Sequence, residues 1–354
     1  MNSALYPRML IAGWLACSLP LFAIAWGVEI PADAANAATA TPAATATPAA
    51  TATPAATETP AATTDADWMK NLRRSADALQ WSDDGIRHDW RLQYRPGADA
   101  GRILDPRDEV VQEGSRQECL ESFATLEQAG TIPGVSGPTV IVLHGLGEGR
   151  RSMRPLVEHL RKNTDATVLS FGYASTSTGI DDHGRALAAV IKGIPAADSI
   201  SFVGHSMGNL VVRRWMGLAN DDELVRVRRM VMLGPPNQGS ELARMVAKIS
   251  LLAALSNGAA RELVLDWNRI SKDLAVPPCP FGIVAGGKGD DRGYSSFLAG
   301  DDDAVVRVEE TKLQGARDFL LLPVHHAAMM KNPGVQQATT SFLKTGQFPL
   351  PAAK

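Results

Sequence analysis

From residue 138 onward the chain alternates short continuous apolar runs with stretches whose apolar residues recur every three or four positions. The runs TVIVLHG, ATVLSFGY, ISFVGHS, RRMVMLGPP, FGIVAGG and DFLLLPV have the length and composition of strands buried on both faces. Between them, residues 153–162, 181–192 and 207–219 carry helical periodicity. This alternation predicts the α/β class, with a mostly parallel central sheet flanked by helices on both faces. In such sheets ligands bind outside the carboxyl ends of the strands.

The first part of the chain reads differently. In HDWRLQYRP, Trp90, Leu92 and Tyr94 alternate with polar neighbours that include Arg91 and Gln93, which predicts a strand with one apolar face. A helix is expected over 118–128, within an otherwise mixed segment 96–137. Upstream, Trp68, Met69, Leu72, Ala76 and Leu79 share one helical face and open the folded part of the chain, placed at 67–354.

Residues 34–66 are almost entirely Ala, Thr and Pro, with prolines at 42, 48, 54 and 60. Such a segment has no large apolar side chains to bury, and its prolines block helix and ladder alike, so it is expected to be a disordered linker. Residues 1–33 hold Arg8 followed by an apolar run from Met9 to about Val28. That composition marks an export signal, either cleaved or retained as a membrane anchor, since the run approaches the ~20 residues that span a bilayer. The expected location is therefore outside the cytoplasm, secreted or periplasmic. Cys119 and Cys279 are then the cysteines left in the mature chain, as two buried thiols or one disulfide.

With 354 residues the chain can bury a full core, and a net charge of -3 gives no basic footprint for nucleic acid. Function must be argued from sites. The stretch VGHSMGN, 203–209, contains G-x-S-x-G, a pattern that arises by chance in roughly one chain in ten of this length. Its context is more specific. Ser206 lies between an apolar run and a helical pattern, where a strand, a sharp turn and a helix would present its hydroxyl at the top of the sheet as a nucleophile. Gly204 and Gly208 supply the small neighbours that turn needs.

Acyl transfer also needs donors for an oxyanion. One is the N–H after the nucleophile, of Met207, and the other comes from a loop after an earlier strand, here VIVLHGLGEG. A dinucleotide fingerprint is excluded in that loop, because the third glycine position is Arg150. The base follows by chain order, Ser then acid then His: His325 and His326 are the sole histidines downstream of Ser206. Acid candidates are Asp290, Asp291, Asp301, Asp302 and Asp303. Asp303 ranks first because the apolar AVVRV that follows would hold it rigidly.

The pieces VLHGLGEGRRSM, FGYASTS, FVGHSMGNLVVRRW, VMLGPPNQGSELA, DDDAVVRVEETKLQGARDFLLLPVHHAAMM and FLKTGQF together resemble bacterial lipase and esterase members of the α/β-hydrolase superfamily, over about residues 85–348. The resemblance implies Ser206 as nucleophile, Asp303 as acid, His326 as base, and the N–H groups of Leu146 and Met207 as oxyanion hole. It implies an ester or lipid-like small-molecule substrate, with no metal and no organic cofactor. The chain departs from the family in having Ala304 where glycine usually follows the acid, and His325 where Ser or Thr is usual. An acyltransferase, thioesterase or amidase would use the same residues, and a binding protein of the same fold would display them without turnover.

Between the fourth and fifth runs, Leu242, Met245, Val246, Ile249 and Leu252 form an apolar helical stripe. It is expected to be a helix packed on the sheet, or else a small lid lining an acyl pocket. The insertion is too short for a large cap, which favours short to medium acyl chains.

Overall fold

The computed structural model describes residues 79–241, 259, 262 and 266–349. The signal or anchor, the linker, the helix expected from Trp68 (Leu79 apart) and the Leu242–Leu252 stripe lie outside the described residues. Among the described residues no helix is long and apolar enough to cross a membrane.

Six strands, β5 (Pro138–Leu143), β6 (Thr167–Phe171), β7 (Ser199–His205), β8 (Val227–Leu233), β9 (Phe281–Gly286) and β10 (Asp318–Leu322), form one sheet in the order β6-β5-β7-β8-β9-β10. Every neighbouring pair is parallel. The six apolar runs supply these six strands.

Because successive side chains on a strand point to opposite faces, each run feeds two cores. Ile141, Leu143, Ile200, Phe202, Met230, Met232 and Ile283 pack on one side against Leu187 and Val190 of α3 (Ile180–Lys192) and Leu210 and Val211 of α4 (Gly208–Leu218). Val140, Val142, Val203, Val231, Leu233 and Val284 pack on the other, against Leu156 and Leu160 of α2 (Arg154–Asn163) and Val335 and Phe342 of α5 (Pro333–Thr345). The run DFLLLPV departs from the expectation of full burial. β10 is the sheet edge, and Phe319 and Leu321 remain 38% and 36% exposed there.

The chain steps outward from β5 to β6 and returns to β7 on the other side of β5. That reversal makes the carboxyl ends of β5 and β7 a topological switch point, the place where ligands bind in sheets of this kind.

An antiparallel sheet precedes this one, in the order β1 (Ser82–Arg87), β2 (Trp90–Tyr94), β3 (Gly101–Leu104), β4 (Val110–Gly114). Helix α1 (Arg116–Gln128) covers it through Cys119 and Phe123, against Leu92 and Ile103. Its N-terminus carries a capping box: Ser115 accepts from the Glu118 N–H while Glu118 accepts from the Ser115 N–H, which satisfies two otherwise orphan donors. The expected strand is β2, but its polar positions are not solvated. Arg91 is fully buried, ion-paired with Asp83 at 2.5 Å and donating to the Ser170 carbonyl at 2.7 Å. Asp83 in turn accepts from the Gly172 N–H at 2.6 Å, so this buried pair ties β1 and β2 to the end of β6. Cys119 and Cys279 are both buried and unpaired.

Candidate active site at the carboxyl ends of β5, β7 and β9

Strand β7 ends at His205 and helix α4 begins at Gly208, leaving two residues to reverse the chain. Ser206 accomplishes this with φ 52°, a left-handed conformation that costs an L-residue about 1–2 kcal/mol. Hydrogen bonds hold it there: the Ser206 N–H donates to the Leu233 carbonyl at 2.9 Å, and the buried Asn209 amide donates to the Ser206 carbonyl at 3.0 Å. The flanking glycines are required sterically. A Cβ at Gly208 would stand 2.7 Å from the His144 carbonyl oxygen, and one at Gly204 2.8 Å from the Asn209 nitrogen. Ser206 is 5% exposed, more enclosed than a residue at a turn would suggest.

The enclosure comes from the loop after β5. A Cβ built on Gly145 would lie 3.1 Å from the Ser206 Cβ, so this backbone runs directly alongside Ser206. The loop is pinned at both ends. Gly147 N–H donates to the Ser175 hydroxyl at 3.1 Å, and Gly145 N–H donates to the Glu148 carboxylate at 3.1 Å. Among the described residues no acceptor meets the N–H of Leu146 or of Met207. One of them, Met207, directly follows Ser206, and the other, Leu146, directly follows Gly145, whose backbone runs beside Ser206.

Of the five candidate acids, one reaches a histidine. Asp303 is fully buried and its Oδ2 receives the His326 Nδ1 at 2.6 Å. Its Oδ1 accepts from the N–H groups of Val305 and Val306 at 3.0 and 2.7 Å, which fixes the carboxylate plane. The expected rigidity is therefore supplied by backbone donors as well as by the apolar AVVRV.

Three of the other four serve the loop. Asp290 accepts from Arg292 and Gly293, Asp301 from Lys288 and Gly289, and Asp302 from Ser295 and Ala304, while Asp291 is exposed. The adjacent histidines separate just as clearly. His326 is buried against Asp303, whereas His325 is exposed, with its ring 3.8 Å from that of Tyr294. Ala304 takes φ 84°, the backbone region that glycine adopts without penalty.

Burial by itself would lower the His326 imidazole. The Asp303 carboxylate outweighs it through charge and hydrogen bond, with Glu148 adding, and His326 is raised above the ordinary histidine value. Asp302, buried and next to Asp303, is raised as well.

Two residues present in the quoted motifs but given no role complete the site. Glu148 Oε2 accepts from the Ser152 hydroxyl at 2.8 Å and meets the His205 Nδ1 at 3.4 Å. Burial works against the Glu148 charge, yet His205 and these donors hold its carboxyl well below the usual carboxylate range. The other His205 nitrogen, Nε2, lies 3.2 Å from the His326 carbonyl oxygen, and the two rings are 4.6 Å apart. His205 thereby joins the serine's strand to the backbone of His326.

A six-stranded parallel sheet in this order, a serine on a left-handed turn between strand and helix, and a buried Asp–His pair later in the chain define the α/β-hydrolase fold. A family described as a domain of unknown function (DUF7379) matches residues 113–269, a span that holds Ser206, Leu146 and Met207 but neither Asp303 nor His326. No curated protein matches the chain.

Among solved structures, the chain is similar to the mature lipase BlEst2 of Bacillus licheniformis, at 19% identity over 60% of this chain and 94% of that one, with a TM-score of 0.48. It is similar to phospholipase PlaB of Legionella pneumophila in complex with thio-NAD, at 18% identity over 59% of each chain and a TM-score of 0.46. A third is the Pyrococcus furiosus esterase Pf2001, at 19% identity over 76% of this chain and 94% of that one, with a TM-score of 0.41.

Proposed function

We propose that the chain is a serine ester hydrolase that works through Ser206, His326 and Asp303 and an acyl-enzyme intermediate. A serine hydroxyl near neutral pH is a weak nucleophile and needs a base, and an imidazole acts as base only when oriented in the right tautomer. Asp303 takes the proton-bearing Nδ1 of His326, which leaves Nε2 as the nitrogen that removes the Ser206 proton during attack on the acyl carbonyl. The oxyanion that forms is received by the N–H groups of Leu146 and Met207. His326 then gives the proton to the leaving alcohol. Water repeats the sequence to release the acid and restore Ser206.

The observation that carries this reading is the buried 2.6 Å Asp303–His326 hydrogen bond, in a chain whose Ser206 stands in a left-handed turn between strand and helix. The substrate class is an ester or lipid-like small molecule, and the apolar stretch behind Arg8 supports export. Labelling with a fluorophosphonate and turnover of p-nitrophenyl esters test the proposal. The wild-type chain is expected to label and turn over, and Ser206→Ala to do neither while keeping its circular dichroism spectrum. Full activity in Ser206→Ala would end the reading.

A further inference from the structure

Outside the Ser–His–Asp set, the most connected polar group near the site is Glu148. It sits three residues beyond Gly145 on the β5 loop, with its side chain 14% exposed, and one oxygen gathers the Gly145 N–H, the Ser152 hydroxyl and His205. The Gly145 bond fixes the backbone one residue before the Leu146 donor. The His205 contact continues, through a fully buried ring, to the main-chain carbonyl of His326. One carboxylate therefore touches the segment that carries an oxyanion donor and, through one imidazole, the segment that carries the base.

We propose that Glu148 and His205 are positioning residues that lock the oxyanion loop and the base into one register across Ser206. This rests on the hydrolase reading given above and deepens it. The chemistry favours the role because both ends must be placed together. The N–H of Leu146 has to meet an oxygen that appears when His326 takes the proton, and a misplacement of about 1 Å in such a set costs about a hundredfold in rate. Loops placed by packing alone would leave that registry to chance, whereas a hydrogen-bonded carboxylate fixes direction as well as distance.

The titratable groups that face this pair are His144 and Tyr173 from the β5 and β6 ends, and His326, itself paired with Asp303, from the chain after β10. Glu148 is among the charges that raise His326, so its removal has a signature that a purely structural residue lacks.

The test uses the full-length chain and p-nitrophenyl butyrate, with kcat referred to sites titrated by a fluorophosphonate so that misfolded molecules do not count. Glu148→Gln is expected to lower kcat by about tenfold to a hundredfold, to leave KM within about twofold, and to move the acid limb of kcat/KM to lower pH. His205→Gln is expected to lower kcat in the same way. Ser152→Ala removes one donor to Glu148 while keeping its charge, so a smaller fall in kcat is expected, and this variant carries the test if the other two yield no titratable sites. Wild-type kcat with an unmoved acid limb in Glu148→Gln, or an unchanged Ser152→Ala where that variant decides, overturns the proposal. A wild-type chain that neither labels nor turns over overturns the hydrolase reading, and this inference with it.

Discussion

Asp303→Asn isolates the role of the acid, because it removes a charge and one acceptor while preserving shape. Asp303 Oδ1 accepts from two backbone N–H groups, of Val305 and Val306, and Oδ2 faces His326 Nδ1. An asparagine can orient its amide in two ways. Turning the NH2 toward Val305 and Val306 would bring a donor against two donors at 2.7–3.0 Å, leaving buried groups unpaired at about 1–3 kcal/mol each. The carbonyl therefore stays on the backbone side, and the NH2 donates to Nδ1. That forces the proton of the neutral imidazole onto Nε2, the nitrogen that must accept from Ser206.

The fold is expected to survive and the proposed base to be switched off. Loss of the correct tautomer is expected to cost about 10,000-fold in kcat, equivalent to about 5.4 kcal/mol of transition-state stabilisation. The assay is kcat on p-nitrophenyl butyrate per folded protein, with Tm measured alongside. A variant within about tenfold of wild type, at an unchanged Tm, would refute the assignment of Asp303 and of the tautomer argument together.

The remaining predictions use the same substrate. His326→Ala is expected to lose activity by several orders of magnitude and His325→Ala to stay close to wild type; the reverse outcome, read as kcat, would transfer the role to the exposed ring beside Tyr294. Ala304→Gly relieves a left-handed alanine at φ 84° and is expected to stabilise by about 0.5–1 kcal/mol after the entropy glycine gives up, a rise in Tm of about 1–4 °C by calorimetry. The acid limb of kcat/KM is expected above pH 6.5, because turnover requires neutral His326 and Asp303 raises it. The sign for stability is opposite: the contribution of the raised His326 is complete below its unfolded value and is lost as pH rises through the folded one, so Asp303→Ala should flatten the pH dependence of Tm on that side.

The sequence carried the large sheet because strands buried on both faces must be continuously apolar, and six such runs became six strands. It carried the placement of Ser206 between β7 and α4 because a serine on a strand-turn-helix constrains its neighbours to be small. It was silent on β1, β3 and β4. In SDDGIR the acids face inward, Asp83 onto Arg91 and Asp84 onto Arg116, so the buried positions of that strand look polar and no hydrophobic period exists to read. The same pairing hid the burial of Arg91, whose alternation with Trp90 and Leu92 suggests water. Glu148 and His205 were in view as letters of two motifs. Their partnership, 57 residues apart in sequence, depends on the β5–β7 crossing that only the folded chain supplies.

Among the described residues that are not glycine, four have a positive φ, and two of these, Ser206 and Ala304, belong to the candidate site. Each sits at a group whose direction matters: Ser206 is the proposed nucleophile, and Ala304 follows the carboxylate that holds His326. In each case local hydrogen bonds oppose the strain: the Ser206 N–H donates to the Leu233 carbonyl and the Asn209 amide to the Ser206 carbonyl, and the Ala304 N–H donates to Asp302 Oδ1 at 2.7 Å. At Ser206 the strain cannot be relieved by substitution without losing the hydroxyl. At Ala304 it can, since glycine would hold the same turn at lower cost. Strain that persists where a cheaper residue exists is informative only if removing it changes the site. The Ala304→Gly variant decides this by a second readout: a higher Tm with unchanged kcat makes the alanine a tolerated cost, whereas a higher Tm with lower kcat makes the stiffness of this turn part of how Asp303 holds His326.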